Sequence, residues 1–180
     1  IAFAQTLPAG ETQRDAISSA INQWANNDPK AAADWVKAAG NVPGVDSWAQ
    51  SVVNQWAESD PAAAFAFAGS LSNADARRNS LSSVLGQWAE VDPATAAARA
   101  VSLPDDLRPN AVQQVANRWA QNDPDAALSW VLNQPDNDQR NNAIGSVINN
   151  WTDQDPGAAS QWLAKQPAGK MRDEAISQFL

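Results

Sequence analysis

Trp24, Trp56, Trp88, Trp119 and Trp151 stand 32, 32, 31 and 32 residues apart, and each opens the same phrase: Trp, usually Ala, two further residues, then Asp-Pro. A fixed period of this length marks a tandem array, because each unit carries an apolar face that only a neighbouring copy can cover. The phrase divides the chain into units 8–39, 40–71, 72–103, 104–134 and 135–166, with half units 1–7 and 167–180. No shift in composition interrupts it, so residues 1–180 are expected to form one repeat array.

Within a unit the apolar positions report two helices. Ala16, Ile17, Ala20, Ile21 and Trp24 are spaced one, three, one and three apart, which gathers them on one helical face. The pattern returns as Val52, Val53, Trp56, as Val84, Leu85, Trp88, as Val115, Ala116, Trp119 and as Val147, Ile148, Trp151. Asp28, Asp60, Asp92, Asp123 and Asp155, each followed by Pro, then start a second helix of about eleven residues. There the carboxylate can cap free amides and Pro suits the first helical position. These aspartates are expected to be structural caps; the other reading is a ladder of carboxylates for cations or acid catalysis. The large packing position of the second helix is Trp35, Phe67, Trp130 and Trp162 but Arg99 in the third unit, a side chain that either snorkels or anchors an acidic ligand group.

The step from Asp28-Pro29 to Trp35, repeated along the chain, resembles the junction of tetratricopeptide repeats, where Pro precedes the next helix and its Trp. The unit here is shorter than the usual 34 residues and Tyr is absent. The resemblance implies an all-α fold, a right-handed α-solenoid of tandem antiparallel helix pairs, and a role in binding protein or peptide without a cofactor.

Composition narrows the function classes. The chain has no His and no Cys, which removes imidazole and thiol nucleophiles and the metal sites built on them; no cofactor and no enzymatic activity are expected. A net charge of −8, with four Lys and eight Arg scattered, argues against nucleic acid. No apolar run is long enough to span a membrane. The lack of Cys and a surface rich in Asn, Gln and Ser point to an exported bacterial protein. Asp136-Asn137-Asp138 lacks the Gly and distal Glu of a calcium loop and reads as a solvated helix start.

Two surfaces are candidates for binding. On the first helices, Asn22, Asn54, Asn117 and Asn149 stand two residues before their Trp on an uncharged face, a ladder of amides for an extended backbone or hydroxyl groups. A copied, merely soluble face is the other account. On the second helices, Phe65, Val101, Leu128 and Leu132 fall opposite the expected core side and, with Arg99, outline an apolar groove, unless tightly packed inner helices cover them. The expected function is a non-catalytic protein- or peptide-binding scaffold; the alternative is a structural segment of a longer self-associating surface or filamentous array. Phe3 aligns with Trp35 and Ile176 with Ile144. A window cut from a longer array, with end-to-end contacts through Phe3 and Phe179, is therefore expected.

Overall fold

A computed structural model of the chain describes residues 10–40, 42–135 and 138–167, together with 1, 6, 8, 169 and 172. Phe3, Ile176 and Phe179, which carry the expectation of end-to-end contact, and Asp136 and Asn137 of the acidic loop lie outside the described residues. Among those described there are ten helices and no strand, and the fold is an all-α helical repeat. The first helices of the units are α1 (Glu11–Asn27), α3 (Val45–Ser59), α5 (Ala74–Val91), α7 (Arg108–Trp119) and α9 (Asp138–Gln154). The second helices are α2 (Pro29–Ala39), α4 (Pro61–Gly69), α6 (Pro93–Val101), α8 (Pro124–Leu132) and α10 (Pro156–Lys165). None of these helices is long and apolar enough to cross a membrane.

One aspartate links the two helices of each unit. Asp28, Asp60, Asp92, Asp123 and Asp155 share an extended backbone, with φ between −140° and −147° and ψ between 78° and 84°. Each amide closes the preceding helix by donating to the carbonyl of the unit's Trp, at 2.7 to 2.9 Å. The carboxylate opens the next helix, accepting the amide of the third residue onward: Ala31, Ala63, Thr95, Ala126 or Ala158, at 2.9 to 3.0 Å. Proline follows where an amide would have no partner. In four units the aspartate is thus both C-cap and N-cap; in the fourth, α7 ends at Trp119 with Ala120 as its C-cap, and Asp123 caps only α8.

The chain forms two compact units, residues 1–87 and 88–180. In the first, α3 packs on α1, α2 packs on both, and α4 packs on α3, over a core that includes Ile17, Ile21, Val36, Val52 and Val53. In the second, α6 and α8 pack on α7, and α9 packs on α7, α8 and α10. Its core joins Leu128, Val131, Ile144, Val147, Ile148 and Leu163. The repeating Trp meets the aromatic ring of the following helix in three hairpins: Trp56 with Phe67 at 6.2 Å, Trp119 with Trp130 at 6.0 Å and Trp151 with Trp162 at 6.2 Å between centroids. All are tilted, the arrangement ring quadrupoles favour.

α2 lies between α1 and α3, and α8 between α7 and α9, so the buried arc of each is wider than one face. This corrects the groove reading. Leu128 is fully buried, as are Ala33 and Ala97 at the same place in their units, and Leu132 packs against the same core. Leu128 is a core residue and not a groove contact.

Arginine closes the junctions between units. Arg77 donates to the Leu71 carbonyl at 2.7 Å, and Arg108 donates to the carbonyls of Val101 and Leu103 at 2.9 to 3.1 Å. Both stand eleven residues before their Trp and satisfy carbonyls left open at the end of the preceding helix, where a cation also suits the helix dipole.

Asp92 differs from the other corners because Thr95 offers it a hydroxyl as well as an amide. These bonds, the hydroxyl first, hold its carboxyl below the usual 3.8 against the small opposing effect of burial. The folded value lies under the unfolded one, so the stabilisation is complete above about pH 4 and is lost as pH falls through the folded value. Thr95→Ala is expected to raise the Asp92 carboxyl titration followed by NMR; an unchanged Asp92 titration would mean that the hydroxyl does not hold it down.

Candidate functional site

The junction between α2 and α3 breaks the repeat at several positions that meet in space. Eleven residues after the corner aspartate, the second and third units place Leu71 and Leu103 and the fourth and fifth Gln134 and Gln166, whereas the first has the smaller Ala39. Where Arg77 and Arg108 clamp their junctions, α3 has Val45. Eight residues before the repeating Trp, other units carry Ala16, Ser80, Ala111 and Ala143, and this one carries Trp48. The connecting loop also contains Gly40 at φ 68° and Gly44 at φ 96°, left-handed values that favour glycine.

The extra tryptophan is held from the neighbouring unit. Its Nε1 donates to Ser18 Oγ at 2.9 Å, and that hydroxyl donates to the Arg14 carbonyl one turn back at 2.9 Å. One repeat later the same two positions are Gln50 and Ser80, whose hydroxyl donates to Gln50 Oε1 at 3.0 Å. Small and large have exchanged sides: Ser18 leaves room for an indole, whereas Gln50 reaches a short serine. A Cβ on Gly44 would come within 3.3 Å of the Trp48 ring and 3.7 Å of Arg14 Cδ, so the loop passes directly against both side chains.

The consequence is an open cleft of about 680 Å³. Ile17 and Arg14 of α1, Trp35 and Ala39 of α2, Val42 and Pro43 of the loop, and Trp48 of α3 are among its walls. The indoles of Trp35 and Trp48 lie 5.8 Å apart at 50°, forming a bent aromatic floor. Arg14 is the charged residue of the lining, it is exposed, and it forms no ion pair among the described residues. The far side of the loop borders a more polar hollow of about 500 Å³ lined by Asp46, Ser72 and Asn73. There Asn73 Nδ2 donates to Asp46 Oδ2 at 2.8 Å.

The residues singled out in the sequence lie elsewhere. Phe65, Val101 and Leu132 are half-buried and Arg99 is exposed; none lines either hollow. Asn22 and Asn149 are exposed. Asn54 Oδ1 already accepts from Gln50 Nε2 and from Ser83 Oγ, each at 2.9 Å, so this rung joins α3 to α5. Asn117 is half-buried, and its buried Oδ1 has no hydrogen bond. Among the described residues no group of three or more carboxylates is placed to hold a metal ion. Sequence reading passed over the cleft, although Trp48 at an Ala or Ser position and Ala39 at a Leu position were its visible signals. The chain matches no protein-family model, no curated protein and no solved structure.

Gly44→Ala probes the contact between loop and ring, because its Cβ would press on the Trp48 ring at 3.3 Å. It is expected to cost about 1 kcal/mol more in urea unfolding of the parent protein than in a Trp48→Ala background, where only the positive-φ penalty remains. Equal costs in the two backgrounds would mean that the ring does not constrain the loop.

Proposed function

We propose that this chain is a non-catalytic scaffold that binds a protein or peptide segment in the cleft between α1, α2 and the loop before α3. The observation that carries the reading is the clustering of departures from the repeat around one concave, aromatic-floored surface. A regular array can leave every junction alike, yet Ala39, Gly44 and Trp48 together open this one and hold it in shape. Its volume falls in the range of pockets that take small ligands or a few side chains, and its walls are mainly apolar with few polar groups, the mixture that gives affinity by burial and orientation by contact. Tryptophan and arginine are also the residues that most often carry binding energy at protein interfaces.

The absence of His and Cys from the chain leaves no imidazole or thiol for chemistry. The resemblance of the Asp-Pro to Trp step to tetratricopeptide repeats supports the same class of function, and a right-handed superhelix belongs to that reading.

Titrating isotope-labelled protein with a panel of end-blocked peptides of mixed apolar and polar sequence tests this. Saturable shifts of the Trp35 and Trp48 indole N–H signals are expected with at least part of the panel. Ala39→Leu, which installs the residue of the second and third units, should abolish them while keeping the helical signal. Shifts spread over other surfaces, or binding that survives Ala39→Leu unchanged, would contradict the assignment.

A further inference from the structure

We infer that the segment the cleft takes presents a large aromatic side chain immediately beside a single carboxylate, with Arg14 receiving the acid; the inference rests on the cleft being the binding site. The floor dictates the first half. Two indoles at 50° offer both a face and an edge to an entering ring, and Ile17 and Ala39 supply apolar walls, so a flat apolar group gains contact on several sides. An aliphatic group of equal length would cover less of the floor.

Arg14 dictates the second half. It lines the cleft, its Cδ lies near the Gly44 backbone, and its guanidinium has no ion pair among the described residues. A guanidinium is a planar fork suited to a carboxylate, and it keeps its charge at every relevant pH. The neighbours set the limit on acidity. Glu11 and Asp15 flank Arg14 on α1, and the whole chain carries a net charge of −8, so a run of acids on the ligand meets repulsion that one well-placed carboxylate avoids. The recognised chemistry is therefore aromatic plus one acid, and not an acidic tract.

Calorimetry with the full chain and four peptides, all acetylated and amidated so that no terminal carboxylate is present, tests this. Their central pairs are Phe-Asp, Phe-Asn, Ala-Asp and Phe followed by three Asp. Phe-Asp should bind about three- to fivefold tighter than Phe-Asn, the range of a partly exposed ion pair, and more tightly than the triple-Asp peptide. Ala-Asp should bind at least tenfold more weakly, because the ring's burial is lost. Arg14→Gln should bring Phe-Asp and Phe-Asn to equal affinity. Equal affinity of those two peptides in the parent protein would overturn the carboxylate inference and leave the cleft reading standing. A preference that survives Arg14→Gln would overturn the role of Arg14. Failure of every peptide to bind at millimolar concentration would overturn both the inference and the reading beneath it.

Discussion

A one-residue corner governs this fold. Each aspartate before proline accepts a backbone amide through its carboxylate and donates its own amide to the Trp carbonyl four residues earlier, so one helix ends where the next begins. Apart from turn residues 120–122 in the fourth unit no linker intervenes, so the direction of the second helix follows the backbone angles of the corner residue, and these agree within a few degrees across five units. The aromatic contacts depend on that constancy. A Trp four residues before the corner and a ring seven residues after it meet at tilted angles in three hairpins, as a repeated corner requires. The interval of 31 residues between Trp88 and Trp119 leaves this geometry intact, since the missing residue falls in the loop between Leu103 and Arg108 rather than at the corner.

Regular corners move the freedom of the fold to the junctions between hairpins. At two of them a leucine is paired with an arginine that ties the preceding carbonyls, Leu71 with Arg77 and Leu103 with Arg108. The α2 to α3 junction gives up both and gains glycines at positive φ and an indole anchored on the neighbouring unit. The exchange exposes apolar surface and places two residues at positive φ. It is the feature on which the proposed binding role rests.

Periodicity made the hairpins legible in the sequence. The Trp spacing, the apolar positions before it and the Asp-Pro pair each have a local cause, and local causes can be read along one chain. Leu128 was not legible because its burial comes from a second helix against the same element, and a single-face estimate allots it to solvent. Asn54 was not legible as an internal rung, because its partner Ser83 lies 29 residues away on α5. The cleft needs Arg14, Trp35, Ala39 and Trp48, which belong to three helices. Its trace in the sequence was a set of exceptions to the repeat, each unremarked because repetition draws the eye to what recurs.

The corner itself is the claim on which the rest stands, and urea unfolding of Asp60→Asn and Asp60→Ala at neutral pH tests it most directly. If the side chain acts as an acceptor for the Ala63 amide, Asn should keep stability within about 0.5 kcal/mol of the parent, whereas Ala should lose about 1 to 2 kcal/mol. An Ala variant that unfolds at the parent's urea midpoint would show that the corner does not depend on its carboxylate, and the account of the hairpin would fail with it.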